Sequence, residues 1–273
     1  MPTVAIVSRK GGCGKSTLAT NIAAYFARDG LPITLGDLDH QQSMRVWLKR
    51  RPSAAPAVAG WVGDIQSSVR PPLGVTHLVL DTPGGLHGLA LAKVAMVADV
   101  ILIPVAGSVF DRESASDCWA ELRTLPRVMN GRCRVAAIGM RLDRRTDAED
   151  ITSAWANSIG LSWLGSLRSS QVYVRAVENG LSIFDMPPNV TGADIEQWQP
   201  LLGWLREHGF NARAADDALL AQWGTPSRLA AANVRVLPTA KLPHNPAVAA
   251  NRPAAAPATG FARFVPRFLR PRA

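Results

Sequence analysis

One feature constrains the fold of this chain more than any other: a glycine-rich stretch with a lysine at each side, Lys10-Gly11-Gly12-Cys13-Gly14-Lys15-Ser16-Thr17. An apolar run at 3–8 precedes it and predicts a buried strand, and the pattern at 15–29 predicts a helix. Glycines let the backbone approach an anion closely, while loop N–H groups and the helix N-terminus attract negative charge. The stretch is therefore predicted to be a phosphate-binding loop.

The side chains of this loop suit a nucleoside triphosphate with its magnesium ion. The backbone from Gly11 to Gly14, including Cys13, would surround the phosphates, with Thr17 on the α-phosphate side. Lys15 is placed to reach the β- and γ-phosphates, and the Ser16 hydroxyl is placed to bind Mg²⁺. A nucleoside triphosphate and Mg²⁺ are therefore the predicted ligands of this loop.

Two further apolar segments end in aspartates. Residues 32–37 lead into Asp37 and Asp39, and residues 76–81 end at Asp81. Parallel strands place their carboxyl ends, and the ligands that bind there, at one edge of the sheet. Asp81 is therefore predicted to bind Mg²⁺ together with Ser16.

The rest of the first 210 residues alternates between strand and helix patterns. Strands are predicted at 3–8, 32–37, 76–81, 100–105, 134–139 and 162–166, and helices at 15–29, 42–50, 88–97, 111–128, 147–159, 170–178 and 191–208. Such alternation predicts an α/β fold, a mainly parallel twisted sheet with helices on both faces. Residues 1–210 are the predicted nucleotide-binding domain.

The lysine that precedes the glycines, Lys10, makes the loop similar to a motif of a known family. The loop resembles the deviant Walker A motif, KGGxGK[ST], of the ParA/MinD family of P-loop ATPases. Residues 37–43 resemble that family's D-x-D-P-Q segment, with His40 in place of the proline. Residues 76–85 resemble its Walker B strand, and 167–188 resemble a segment typical of plasmid-partition ATPases.

This resemblance implies roles for individual residues. Lys10 would cross a dimer interface to the phosphates bound by the other subunit, and Lys15 would bind phosphate within its own subunit. Asp39 would position the attacking water, so that Lys10, Lys15 and Asp39 form the catalytic set. Pro187 and its neighbours would contact the adenine.

The resemblance is closest to ParA-type ATPases, and it implies a weak ATPase that dimerises on ATP and binds non-specific DNA. A ParB-like partner protein would stimulate hydrolysis, so that a cargo is segregated or positioned. Such a protein is expected in the cytoplasm, at the nucleoid. The candidate DNA-binding arginines are Arg144, Arg145, Arg168 and Arg175. The alternative is a MinD-like ATPase that cycles on and off a membrane.

The net charge of +9 is concentrated in the last 63 residues, which hold nine Lys/Arg and two Asp. Residues 211–260 are rich in alanine and proline, a composition that predicts an extension with a disordered linker. Residues 261–273 combine phenylalanines with arginines. This segment would dock on a partner, bind an acidic membrane surface or bind nucleic acid, and all three alternatives stay open.

Other classes of protein fit the sequence poorly. No stretch has the roughly 18 to 20 apolar residues of a membrane-spanning helix. No signal peptide is expected, because the first strand begins at once. Three cysteines at unrelated spacings favour a reducing compartment over a disulfide framework. Cys118 and Cys133 show no spacing for an iron–sulfur cluster, which argues against an iron protein of the same fold.

Overall fold

The computed structural model describes residues 1–39, 41–143 and 145–210. In these residues one parallel sheet contains seven strands: β1 Thr3–Ser8, β2 Ile33–Asp37, β3 Ala59–Val62, β4 His77–Gly84, β5 Val100–Val105, β6 Arg134–Met140 and β7 Ser162–Leu167. Their order is β3-β2-β4-β1-β5-β6-β7. The predicted α/β fold with a parallel sheet is confirmed.

Helices follow the strands and cover both faces of the sheet. They are α1 Lys15–Arg28, α2 Ser43–Arg50, α3 Gly88–Val97, α4 Val109–Leu122, α5 Pro126–Met129, α6 Ala148–Ser158, α7 Gln171–Glu178 and α8 Pro188–His208, with a 3-10 turn at Ile183–Asp185. Side chains of α1, α2 and α8 form the core on one face, and those of α3 and α4 form the core on the other.

The central strand β1 shows why the sheet needs both layers. Val4 and Ile6 point into one core, whereas Ala5 and Val7 point into the other, and all four side chains are buried. Successive side chains of a strand alternate between its faces, so a continuous apolar run requires cover on both.

Two predictions about secondary structure were wrong. The edge strand β3 was not predicted, because its four residues are mostly exposed and carry no apolar alternation. The helix predicted at 111–128 begins earlier, at Val109, and ends at Leu122. Pro126 disfavours a helical conformation in the residue before it and then starts α5.

Several predictions lie outside the described residues: the extension 211–260, the segment 261–273, His40 and Arg144. Within the described part of the chain, no helix combines the length and the hydropathy needed to cross a bilayer.

Candidate functional site

The site lies where β1, β4 and β2 end beside one another. The chain passes from β4 to β5 on the opposite side of β1, so the strand order reverses at the centre of the sheet. In open α/β sheets ligands bind at such a reversal, beyond the carboxyl ends of the strands. The glycine-rich loop follows β1 directly and leads into α1, as predicted.

Glycine is required in this loop for both conformation and space. Gly12 and Gly14 have positive φ angles, 71° and 97°. A Cβ on Gly14 would lie 2.6 Å from Cε of Met140, and a Cβ on Gly84 would lie 3.2 Å from Cα of Gly11. A side chain at Gly84 would therefore crowd the loop backbone, whereas at Gly14 the flexible end of Met140 could move and the positive φ is the stronger constraint.

The backbone carbonyl oxygen of Lys10 is approached by two side chains of the same loop, Cys13 and Lys15. Lys15 is almost fully buried, and its Nζ donates to this oxygen at 3.4 Å. The Cys13 Sγ lies 3.5 Å from the same oxygen, with its side chain buried. The Lys15 ammonium is thus held inside the loop curve, where an anion would be surrounded by loop N–H groups.

The predicted metal ligands Ser16 and Asp81 are in contact. Ser16 Oγ donates to Asp81 Oδ2 at 2.7 Å, and Asp81 is 1% exposed. Its other oxygen, Oδ1, is buried with no hydrogen-bond partner among the described residues. Burial raises the pKa of Asp81 to about 7. A divalent cation would satisfy this oxygen and favour the charged carboxylate, so the donor set fits Mg²⁺.

The two aspartates at the carboxyl end of β2 have different surroundings. Asp37 is buried, and its carboxylate accepts from the backbone N–H groups of Asp39 and Met44 at 3.0 and 3.1 Å. It therefore fastens the start of α2 to the strand end. Asp39 is partly exposed and lines the cavity beside the loop, where its carboxylate is accessible to a ligand and its water.

Lys10 points to α4. Its Nζ lies 2.6 Å from Oδ1 of Asp111, and the lysine side chain is 41% exposed. Asp111 also accepts from Ser108, with which it forms a capping box at the start of α4. Burial opposes its ionisation, but hydrogen bonds from Lys10 and Ser108 outweigh burial and lower the pKa of Asp111.

A cavity of about 760 Å³ extends from the loop towards α7, and its size is typical of small-molecule sites. Its lining includes the loop glycines and Lys15, Ser16, Thr17, Asp39, Arg141, Arg168, Ser170 and Tyr173. The segment that resembles partition ATPases thus forms the wall opposite the loop. Pro187 is exposed and does not line this cavity, so its contact with adenine stays a prediction.

Arg141, which we did not predict, holds the loop from the side of β6. Its Nη2 donates to the carbonyl of Gly12 at 2.5 Å, and its own φ is 57°. A non-glycine residue in this conformation is uncommon and often accompanies a functional site. No local pattern indicated this contact.

The contact between Lys10 and the start of α4 is different in this respect. The spacing Ser108-x-x-Asp111 is typical of a capping box and could have indicated that a helix begins there.

Comparison with known proteins agrees with this geometry. A model of the CobQ/CobB/MinD/ParA nucleotide binding domain matches residues 4–192. The maintenance of carboxysome distribution protein A of Halothiobacillus neapolitanus is 27% identical over 195 residues, which span 67% of this chain and 87% of that protein. The chromosome-partitioning ATPase Soj of Thermus thermophilus is 27% identical over 50% of this chain and 67% of its own length.

Solved structures share the fold. A plasmid partition protein of Borrelia burgdorferi bound to AMPPNP has a TM-score of 0.58 and 15% identity, covering 74% of this chain and 98% of that one. The MinC:MinD cell division complex of Aquifex aeolicus gives a TM-score of 0.56 and 18% identity, with 74% and 96% covered. Because the domain model spans more than half of the residues, the chain belongs to the CobQ/CobB/MinD/ParA family of nucleotide-binding P-loop domains.

Proposed function

We propose that this protein is a ParA-type ATPase that dimerises on binding ATP and Mg²⁺, binds non-specific DNA and positions a cargo. Hydrolysis is slow until a ParB-like partner protein stimulates it, and the protein acts at the nucleoid. Support comes from the family, which includes partition ATPases, and from relatives named for partition and carboxysome distribution.

One observation carries this proposal: a second lysine, Lys10, stands at the mouth of a complete phosphate loop. Lys15 is buried within the loop, whereas Lys10 is partly exposed and joined to α4 by one ion pair. Once that ion pair opens, a lysine at the mouth can reach a second molecule, and it would offset the repulsion between two triphosphates that face each other.

In the proposed reaction, phosphoryl transfer from ATP to water depends on positioning and charge. The bound Mg²⁺ would neutralise charge on the phosphates, with Ser16 and Asp81 holding it. Lys15 would bind the β- and γ-phosphates, and Asp39 would orient the attacking water. Lys10 of each subunit would complete the partner's site, so the monomer is expected to hydrolyse ATP slowly.

The experiment is Lys10→Ala, studied by analytical ultracentrifugation and nucleotide titration. We expect ATP affinity to stay within tenfold of the original, a change of at most about 1.4 kcal/mol, while ATP-dependent dimerisation is lost. Arg112→Ala is the control, since it removes one positive charge from the first turn of α4 while Lys10 stays in place. Normal dimerisation of the Lys10 variant would refute the proposed mechanism.

A further inference from the structure

We propose that a basic face on α2 and α7, made of Arg45, Lys49, Arg50 and Arg175, binds the phosphate backbone of DNA. This inference rests on the proposed function, and it names the surface that the DNA would contact. Helix α2 carries three of these residues within six positions and has no acidic residue. All four side chains are exposed.

Carboxylates do not neutralise these four basic side chains, in contrast to six arginines elsewhere in the described part of the chain. None of the four forms an ion pair within the described part of the chain; Arg45 donates only to the neutral Gln42. Other arginines contact carboxylates: Arg9, Arg51, Arg127, Arg145, Arg168 and Arg206. Of the arginines first considered for DNA, Arg145 and Arg168 are therefore less available than Arg175.

The two helices form one continuous surface. The backbone of Arg50 lies against Gly180, just after α7: a Cβ on Gly180 would be 2.3 Å from the Arg50 carbonyl carbon. Glu178 is the acidic residue that α7 contributes to this side. One carboxylate against four cations leaves a net positive surface, which attracts a polyanion.

The basic face is also rigid, because α2 is anchored at both ends. At its start, Met44 N–H donates to the buried Asp37. At its end, Trp47 Nε1 donates to the Leu181 carbonyl at 3.1 Å, and Arg51 forms a buried ion pair with Asp185 at 3.0 Å. Phosphate contacts made from a fixed helix lose less conformational entropy than contacts from a flexible segment.

DNA suits this face better than an anionic membrane does. A helix that lies in a membrane interface buries an apolar face among the lipids. The largest apolar side chains of α2, Met44 and Trp47, are 2% exposed and point into the core, so they are unavailable for insertion. The apolar residues that α2 and α7 do expose are three short valines, Val46, Val174 and Val177. Short side chains set among four cations bury little apolar area, so charge dominates this face and favours a phosphate backbone in water.

The test measures DNA binding by the full chain with ATP and Mg²⁺, by fluorescence anisotropy on a random-sequence duplex over a series of salt concentrations. The variant is Arg45→Gln with Lys49→Gln and Arg50→Gln. The slope of log K against log salt is negative, and each lost phosphate contact reduces its magnitude by about 0.9. We therefore expect the slope of the triple variant to be less steep by about 2.7 for each bound protomer. Affinity at a fixed salt concentration should fall at least tenfold, a loss of about 1.4 kcal/mol.

The matched control is Arg70→Gln with Arg123→Gln and Arg132→Gln, which removes the same charge from exposed positions elsewhere. Its slope should stay near that of the unmodified protein, and ATP titration should show that both triple variants still bind nucleotide. Should the first variant fold poorly, Lys49→Gln alone should reduce the magnitude of the slope by about 0.9.

Equal slopes for the two triple variants would overturn the basic face while leaving the proposed function intact. Loss of binding to phosphatidylglycerol vesicles, with DNA binding retained, would overturn it in favour of a membrane contact. Failure of the unmodified protein to bind DNA in any nucleotide state would instead refute the DNA step of the proposed function.

Discussion

Lys10 and Asp111 form an ion pair within one chain, with Nζ 2.6 Å from Oδ1. Arg9, the residue before Lys10, also contacts α4: it forms an ion pair with Glu121, and its Nη1 lies 3.7 Å from Oδ2 of Asp117. Helix α4 thus holds the start of the phosphate loop through its carboxylates. If Lys10 acts across a dimer, this ion pair must open first, so Asp111 opposes dimerisation.

Asp111→Asn is therefore expected to favour the ATP dimer. The amide can still accept from Ser108, but it attracts the Lys10 ammonium less than a carboxylate does. We expect dimerisation at a lower ATP concentration, by a few-fold, since a partly exposed pair is worth up to about 1 kcal/mol. Sedimentation at a series of ATP concentrations measures the change.

Ser108→Ala separates this effect from a weaker helix. It removes the N-cap hydrogen bond of α4 and leaves the Asp111 carboxylate beside Lys10. Its ATP requirement should stay unchanged. A similar shift in both variants would mean that the stability of α4, and not the ion pair, controls dimerisation.

The motif residues of the site could be predicted because each belongs to a segment at the carboxyl end of a strand. Ser16 lies in the first turn of the helix after β1, Asp39 follows β2, and Asp81 lies inside β4. A parallel sheet brings these segments together, and the structure places Ser16 against Asp81. Local pattern and topology are enough for such residues. Their roles in catalysis stay predictions until they are measured.

The contacts between distant segments could not be predicted in this way. Arg141 reaches Gly12 from 129 positions away, and Lys10 reaches Asp111 from 101. Each depends on how a loop leaves its strand, and a single sequence carries no periodic signal for that. The edge strand β3 was missed for a related reason, because its pairing with β2 and not its own apolar pattern makes it a strand.

Asp39→Ala is expected to stabilise the ATP dimer. The carboxylate lines the cavity beside the loop, so its loss should remove the group that orients water while phosphate binding continues. Hydrolysis should fall by about 10² or more, the usual contribution of such a group. Single-turnover assays would show this, and turnover at the original rate would exclude Asp39 from this role.

Asp81→Asn should raise the thermal stability of the protein and abolish its activity. Burial raises the pKa of Asp81 to about 7, so a charged carboxylate with an unpaired oxygen is costly in the folded protein at alkaline pH. Without nucleotide, we expect Tm at about pH 8 to rise by about 2–4 °C for each kcal/mol regained. Hydrolysis that depends on Mg²⁺ should be lost.

Asp39→Asn is the control for this prediction, because Asp39 is partly exposed and its neutralisation should leave Tm unchanged. A lower Tm for Asp81→Asn, measured by differential scanning calorimetry, would mean that the native protein stabilises the Asp81 carboxylate.

Asp185→Asn should destabilise the fold strongly. Arg51 and Asp185 have side chains 5% and 4% exposed, and Arg51 donates to both carboxylate oxygens. Breaking such a buried pair leaves one charge uncompensated and costs about 3–5 kcal/mol. Urea unfolding measures the loss, and Asp143→Asn, in an exposed pair with Arg145, should cause no measurable change. Similar losses in both variants would contradict the argument from burial.

His77 should make the fold less stable in mild acid. The ring is buried at the start of β4, packs edge-on against Phe210 at 5.6 Å, and its Nε2 has no partner among the described residues. Burial, aided by the N-terminal charge, lowers the pKa of His77. The unfolded chain, whose histidine has a pKa of about 6.5, then binds the proton more readily than the folded chain does. The free energy of unfolding therefore falls as pH decreases below about 6.5.

Urea titrations of the unmodified protein and of His77→Gln, at about pH 7.5 and about pH 5.5, measure this effect. The unmodified protein should lose up to about 1 kcal/mol more than the variant over this interval, because the variant lacks the buried ring while Asp81 and the other titrating groups are the same in both proteins. His87→Gln removes an exposed imidazole and should leave the pH dependence as it was. An equal loss with and without His77 would mean that the buried ring accepts its proton in the folded state at no cost.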